Sequence, residues 1–183
     1  MKHLWYGILI LGFLISCSGP EPRRPVQVKT GSFIKASVER SKALLAKEEQ
    51  LIQAIIAADS VHKYYSSANG SSYYYNVKSE APGPFPQPDD VVALNYNIVS
   101  LTNDTIYSNT DIGVIQYKVD KQELFPGLRN SVKLLKENET ATFLYPSSLA
   151  YGYPGDHDKI GTNVPIKATL TLLKITPQKD SIQ

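Results

Sequence analysis

Apolar residues in the second half of the chain alternate with polar ones, with the period of two that is typical of β-strands. Turn residues separate the alternating runs, as they do in antiparallel sheets. The strand candidates are SSYYYNVKS (71–79), VVALNYNIVSL (91–101), DTIYSN (104–109), GVIQYKV (113–119), ETATFLYP (139–146) and IKATLTLLKI (166–175). We therefore predict a mainly antiparallel sheet that occupies most of the chain after residue 70.

The segment 32–60 has a helical period instead. Its apolar residues fall on one side of a helix, at Ile34, Val38, Leu45, Ile52 and Ile56. If this helix is interrupted, Lys47 marks the place where we expect the break. Such a stripe usually packs against the protein's own sheet, and docking of a second copy or of a partner helix is the alternative.

A second and shorter helical pattern, PGLRNSVKLLKEN (126–138), interrupts the strands. Leu128, Val132 and Leu135 recur at helical spacing, Pro126 lies near the start, and Asn138 suits the C-terminal end. The pieces are therefore those of an α+β fold, in which an antiparallel sheet packs on one short helix.

Two further segments connect these elements. Prolines at 82, 84, 86 and 88 make EAPGPFPQPDD (80–90) neither helix nor central strand, so we predict a stiff connector, with a ligand for a proline-binding domain as the alternative. The loop 152–164 is longer than two strands need. Loops beyond about 12 residues without structure of their own are usually functional or disordered. This loop carries Tyr153 among its turn residues, and aromatic residues are uncommon in disordered segments, so we expect a functional loop.

The composition is that of an ordinary globular domain. The chain has 183 residues, of which 42% are hydrophobic and 20% charged, enough for one core. The formal net charge of +2 is spread without a basic stripe, so no nucleic acid is expected as partner.

The N-terminus, MKHLWYGILILGFLISCSG, has the pattern of a bacterial lipoprotein signal. Its apolar run is shorter than the roughly 20 residues a membrane-spanning helix needs. We predict a signal peptide at 1–16, a lipidated Cys17, and a proline-rich and charged tether at 17–31. The alternative is a secreted protein in which Cys17 belongs to an ordinary signal peptide. Ser18 after the cysteine favours the outer membrane, facing the periplasm.

Several chemistries lack their residues. The chain has no Gly-x-Ser-x-Gly turn and no cysteine other than Cys17, and only His62 and His157 remain after signal cleavage. Asp156, His157 and Asp158 are adjacent on a loop, where we expect a solvated charged tip rather than a metal site. No cofactor and no metal are therefore expected.

The order of the segments resembles FK506-binding-protein (FKBP) type peptidyl-prolyl cis/trans isomerases over about residues 89–175. The most specific pieces are ELFPGL (123–128), AYG (150–152) and VPIKATL (164–170). With the lipoprotein signal and the helical leader, the whole chain is similar to the gliding-motility-associated isomerase lipoproteins of Gram-negative bacteria. The resemblance implies a half-barrel sheet wrapped around a short helix, with an apolar pocket between them.

The resemblance also implies residue roles. The catalytic positions are Tyr151, Tyr107, Phe125 and Leu128, with Tyr151 donating a hydrogen bond to a substrate carbonyl. The substrate-binding positions are Tyr96, Ser108, Ile115, Leu124 and Leu172, and the long loop adds Tyr153 and Ile160 beside the residue that precedes the proline. Two departures from the family are the leucine at the pocket floor, where many members have tryptophan, and Ser108 or Asn109 in place of an acidic residue.

The resulting prediction is a membrane-anchored isomerase that assists the folding of exported proteins, including those of the gliding machinery. The alternative is a non-catalytic FKBP-like chaperone that binds proline-containing segments. Its partners are proline-containing polypeptides and, through the lipid, a membrane. The predicted parts are the signal peptide 1–16, the tether 17–31, a leader with strand and connector 32–88, the isomerase domain 89–176 and a tail 177–183.

Overall fold

The computed structural model describes residues 30–178. The predicted signal peptide, Cys17, almost all of the predicted tether and residues 179–183 lie outside this range, so the predictions made for them stay predictions. The described residues form an α+β fold with an antiparallel sheet and a helix N-terminal to it, as the sequence indicated.

The leader is one continuous helix, α1, Thr30–Ala58. The helix continues through Lys47, the position where we expected a break if the helix was interrupted. Of the described residues, those up to Val38 belong to one compact unit, and those from Glu39 to Gln178 belong to a second unit with the sheet. Within the second unit Ile52 is buried, and it lines a small hollow together with Ser71 and Ser72. The C-terminal half of the apolar stripe therefore packs on the protein's own sheet.

Eight strands of the described chain form one antiparallel sheet. They are β1 (Tyr65–Ser66), β2 (Ser72–Val77), β3 (Val91–Tyr96), β4 (Ile98–Ser100), β5 (Thr105–Tyr107), β6 (Ile115–Lys118), β7 (Thr140–Tyr145) and β8 (Ile166–Thr176). The long strand β8 is central: it pairs with β7 on one side and with β3 and then β4 on the other. Beyond them, β2 and β1 extend the sheet past β7, β6 pairs with β3, and β5 pairs with β4.

The alternation predicted for the strands is what buries the core. On β3, Val92, Leu94 and Tyr96 are buried, and on β8 the same holds for Ile166, Ala168, Leu170 and Leu172. Phe143 of β7 is also fully buried in this cluster. On β3 and β8 one face of the sheet therefore carries the core, because side chains along a strand alternate between its two faces. On β7 the opposite face is buried too, since Thr142 and Leu144 are covered like Phe143.

Two short helices complete the fold, α2 (Asn109–Ile112) and α3 (Pro126–Val132). Leu128, Val132 and Leu135 are fully buried in the core, as their spacing predicted. The helix α3 is shorter than the predicted 126–138, because tighter turns follow it: the N–H of Leu134 donates to the Ser131 carbonyl. The connector 80–90 contains neither helix nor strand, as its prolines predicted.

Candidate active site

An open cleft of about 480 Å³ lies where the start of α3 faces the end of β3 and the turn after β7. Its walls are mostly aromatic and aliphatic. The lining residues are Tyr96, Glu123, Leu124, Phe125, Pro126, Ala150 and Tyr151. An apolar cleft with a few polar groups at its walls is the usual form of a ligand site.

Phe125 is the aromatic centre of this cleft. It directly precedes Pro126, whose ring suits the first position of a helix, so that Phe125 ends the incoming chain in an extended conformation. Its ring centroid lies 5.2 Å from that of Tyr151, 5.5 Å from that of Tyr145 and 6.5 Å from that of Tyr96. These are edge or tilted contacts of the kind that aromatic rings prefer.

The helix α3 is held close against β7 beneath the cleft. A Cβ atom on Gly127 would come within 2.5 Å of the Tyr145 ring, so only glycine allows this approach. The buried hydroxyl groups of Tyr145 and Ser131 share a hydrogen bond of 2.7 Å between their oxygen atoms. The start of α3, which contributes Pro126 to the cleft, is therefore packed tightly against β7.

Tyr151 is presented by a short turn after β7. A 3₁₀ helix at Ser147–Leu149 leads into Ala150. The Ser147 carbonyl then accepts hydrogen bonds from the N–H groups of Ala150 and Gly152, with N···O distances of 3.0 and 2.9 Å. Both residues that flank Tyr151 are thereby tied to one atom.

The hydroxyl groups of Tyr151 and Tyr96 are available to a ligand. Within residues 30–178 neither of them has a hydrogen-bond partner. Burial raises the pKa of Tyr151 well above its usual value, and negative charge on Tyr96, Asp156 and Tyr107 would raise it further. Burial likewise raises the pKa of Tyr96. Both groups remain protonated near neutral pH and can donate a hydrogen bond.

Tyr107 is at the end of β5, outside the residues that line the cleft. Its hydroxyl donates to Asp156 Oδ2 at 2.6 Å and also lies 3.2 Å from Asp158 Oδ2. The hydrogen bond to Asp156 raises the pKa of Tyr107 to about 12. Lys159 adds its Nζ atom 4.7 Å from the centroid of the same ring. Tyr107 therefore fastens the long loop to the sheet.

Asp156 organises that loop from within, whereas His157 and Asp158 beside it are exposed, as expected for a solvated charged tip. Its Oδ1 atom accepts hydrogen bonds from the N–H groups of Asp158 and Ile160. Partial burial alone would raise the pKa of Asp156, but the hydrogen bonds from Tyr107 and from these N–H groups outweigh burial and lower it. Within residues 30–178 no group of acidic, histidine or cysteine side chains is arranged to hold a metal.

The loop 152–164 closes on itself. The N–H of Asn163 donates to the Gly152 carbonyl at 2.8 Å, and the N–H of Asp156 donates to the Ile160 carbonyl at 3.0 Å. Ile160 is buried in the core, whereas Tyr153 is 78% exposed. Neither residue lines the cleft in this structure, so their predicted contact with substrate stays a prediction.

The other predicted positions are divided between core and surface. Leu128 and Leu172 are fully buried in the core behind the lining residues. Ile115 is half-buried on β6, opposite Leu94. Ser108 caps α2, because its side chain accepts the N–H of Asp111. The cleft thus brings together Tyr96, Leu124, Phe125 and Tyr151 and leaves the remaining predicted residues outside its surface.

Sequence reasoning did not single out Glu123 or Pro126 as lining residues. Both belong to the quoted segment ELFPGL, so the signal was present in the residues around Phe125. Glu123 is almost fully exposed and lies 3.8 Å from the Arg129 guanidinium. It adds a carboxylate at the rim of an otherwise apolar site.

Fold and cleft together define an α+β domain with an apolar ligand site, and the comparisons with known proteins give its class. Residues 83–173 match the family model of the FKBP-type peptidyl-prolyl cis-trans isomerases. This part of the chain belongs to that family.

A relative in Neisseria meningitidis serogroup B, a probable FKBP-type peptidyl-prolyl cis-trans isomerase FkpA, is 30% identical over 135 residues. These residues are 74% of this chain and 47% of the relative, so the chain spans about half the length of the relative it matches. The similarity to this probable isomerase agrees with the family match of residues 83–173.

Two solved structures share the fold. The crystal structure of FkpA from Escherichia coli has a TM-score of 0.59 at 19% identity, covering 97% of this chain and 83% of that one. A peptidyl-prolyl cis-trans isomerase from Pseudomonas syringae pv. tomato has a TM-score of 0.55 at 17% identity, covering 75% and 96%. Among residues 30–178, no helix is both long and apolar enough to span a bilayer.

Proposed function

We propose that the whole protein is a lipid-anchored peptidyl-prolyl cis/trans isomerase that acts on proline-containing segments of exported polypeptides. The observation that carries this proposal is the apolar cleft with the unpartnered Tyr151 hydroxyl at its wall. Membership of residues 83–173 in the isomerase family supports it.

The reaction needs no covalent step. Rotation about a peptide bond breaks its resonance, with a barrier of about 18–20 kcal/mol, and an uncatalysed Xaa-Pro bond isomerises in tens to hundreds of seconds. The twisted amide of the transition state has lost charge separation, so it is less polar than the planar ground state. An apolar cleft therefore favours the twisted form over the planar one, which is the differential binding that accelerates a reaction.

The lining residues divide this work. Leu124, Phe125 and Pro126 supply apolar surface for the proline ring. The Tyr151 hydroxyl donates to a carbonyl of the substrate and keeps the chain in register, and the Tyr96 hydroxyl offers a second donor on the facing wall. Because Phe125 packs against both tyrosines, the three groups form one preorganised surface.

The anchor and the location rest on the sequence. A lipid on Cys17 gives stable membrane attachment because each buried methylene contributes about 0.8 kcal/mol and more than one acyl chain is present. We place the domain in the periplasm, on the outer membrane. Similarity of the whole chain to gliding-motility-associated isomerase lipoproteins suggests that proteins of the gliding machinery are among its clients.

The test of catalysis compares the full chain, purified in detergent, with its Tyr151→Phe variant on Leu-Pro and Phe-Pro peptides. We expect acceleration of cis-to-trans conversion, and a loss of about three- to tenfold in kcat/KM in the variant, since one hydrogen bond contributes about 0.5–1.5 kcal/mol. Tyr74→Phe is the matched control: it removes a hydroxyl on β2, outside the cleft.

The same experiment separates isomerase from binder. Peptide binding by a folded protein that gives no acceleration would identify a proline-recognising chaperone instead. If Tyr151→Phe has full activity and full peptide affinity, the cleft is not the site.

Lipidation has its own test. The intact mass of the protein extracted from membranes should equal the chain from Cys17 onward plus acyl groups, and Cys17→Ser should release the protein into the soluble fraction. A soluble protein that lacks acyl mass would show that the anchor is absent.

A further inference from the structure

A buried acidic residue on the leader helix reaches the turn that carries Tyr151. Glu48 lies in α1, outside the segment 83–173 that matches the isomerase family, yet only 3% of it is exposed. Its Oε2 atom accepts a hydrogen bond of 2.8 Å from the N–H of Ser147, which is 99 residues away in the chain. Among residues 30–178 no cation pairs with Glu48. Burial of an unpaired carboxylate is unfavourable, so this contact calls for a reason.

The accepted N–H belongs to the first residue of the 3₁₀ helix Ser147–Leu149. The first N–H groups of a helix have no partner within it, and a side chain near the start commonly supplies one. Here the residue before the helix is Pro146, and no local side chain caps it. Glu48 takes the place of the missing cap from a distant helix.

Ser147 passes this anchoring on to the cleft. While its N–H is bonded to Glu48, its carbonyl accepts the N–H groups of Ala150 and Gly152. Tyr151 lies between those two residues. The backbone of the cleft tyrosine is therefore connected to the leader helix through a single residue, Ser147, which is itself 2% exposed.

The second oxygen of Glu48 argues against a purely stabilising role. Oε1 is buried, and it has no hydrogen-bond partner among residues 30–178. A buried acceptor without a partner lowers stability, and such exceptions in native proteins call for an explanation. An apolar residue would suit the stripe between Leu45 and Ile52 better, so the carboxylate's one bond is its evident use.

We propose that Glu48 is a positioning residue for the isomerase site: by accepting the Ser147 N–H, it holds the turn 147–152 in the arrangement that aims the Tyr151 hydroxyl into the cleft. This inference rests on the proposed isomerase activity. It makes the leader helix part of the site rather than a spacer between membrane and domain.

The test uses the full chain in detergent and three variants. Glu48→Leu removes the acceptor, Glu48→Gln keeps an acceptor oxygen without the charge, and Glu49→Leu makes the same change at the exposed neighbouring position. We expect Glu48→Leu to lower kcat/KM by about tenfold. Glu48→Gln should restore activity to within about twofold of the unchanged protein, because an amide oxygen also accepts a hydrogen bond. Glu49→Leu should have no effect.

A double-mutant cycle separates positioning from general destabilisation. If Glu48 acts through the Tyr151 hydroxyl, adding Glu48→Leu to Tyr151→Phe lowers kcat/KM far less than it does in the unchanged protein. Hydrogen exchange at the Ala150 and Gly152 amides should be faster in Glu48→Leu, while core strands such as β8 keep their protection. Equal losses in both backgrounds, or unchanged exchange at these two amides, would overturn the proposal.

Two outcomes remain to be distinguished. If Glu48→Leu does not fold, Glu48→Gln decides: a loss of activity in that folded variant shows that accepting the Ser147 N–H is not the role. If the unchanged protein lacks isomerase activity, the proposed function fails, and amide exchange together with peptide affinity still tests Glu48 by itself.

Discussion

The Tyr107 hydroxyl and the Asp156 carboxylate are 2.6 Å apart and join the end of strand β5 to the loop 152–164. The two residues are 49 positions apart in the chain, and the hydrogen bond is short, as expected when the acceptor is ionised. Asp156 also holds the loop together from within. This pair therefore helps to attach the loop beside the cleft, together with Lys159, whose ammonium group donates to the Ile106 carbonyl at 3.3 Å.

Removing the hydroxyl should release the loop. In Tyr107→Phe we expect several-fold faster hydrogen exchange at the Asp156 and Ile160 amides, because Asp156 loses its link to the sheet. The exchange of β8 amides should not change. Unaltered exchange in the loop would show that the turn bonds of Asp156 are sufficient without Tyr107.

The same pair predicts a change at alkaline pH. The pKa of Tyr107 is raised to about 12 in the folded protein, above the usual 10. A raised pKa means that the hydrogen bond stabilises the loop fully below pH of about 10 and is lost as the pH rises through about 12. Tyrosinate absorbance and loop amide protection should therefore change together between these values. Asp156→Asn should shift the titration of Tyr107 downward.

A complementary change is expected in acid. The pKa of Asp156 is lowered in the folded protein, so its contribution to stability is present above the ordinary aspartate value of 3.8 and is lost as the pH falls through the lower folded value. Thermal unfolding measured from pH 6 down to pH 2 should show this as a destabilisation that is smaller in Asp156→Asn. If the variant has the same acid profile, other carboxylates account for it.

Gly155 should tolerate no side chain. Its φ angle is +69°, and a Cβ atom would lie 2.3 Å from the Ile160 carbonyl oxygen. Gly70, at φ +90° with open space around it, provides the matched control. Gly155→Ala should lower the free energy of unfolding by about 2–4 kcal/mol, and Gly70→Ala by only about 1–2 kcal/mol, since the control adds backbone strain without a clash. Denaturant unfolding measures both values, and equal losses would contradict the proposed clash.

Leu128 should be important for stability because its side chain, on α3, is fully buried in the core. Leu128→Ala should lower the free energy of unfolding by about 2–5 kcal/mol, the usual range when a core leucine leaves a cavity. Leu51→Ala, the same change at a half-exposed position on α1, should alter it by less than about 0.5 kcal/mol. A small effect at Leu128 would mean that the core can collapse around the missing side chain.

The local pattern determined much of the fold. The alternation of apolar residues predicted β3 and β8 and their buried faces, because a strand has a period of two and one face meets the core. On β7 both faces are buried, which alternation by itself does not predict. The segment ELFPGL predicted the start of α3, since proline suits the first helical position. The resemblance to isomerases then led to Phe125 and Tyr151 at the cleft.

Contacts between distant segments depended on the tertiary structure. Glu48 and Glu49 are the same residue type on one helix, and only the packing of α1 buries the first and exposes the second. A charged residue between Leu45 and Ile52 on the apolar stripe was the available signal, but it does not name Ser147 as the partner. The hydrogen bond between Tyr107 and Asp156 was not predicted for the same reason. Sequence periodicity shows which face of an element is apolar, whereas the partner of a residue across the fold depends on how the elements pack.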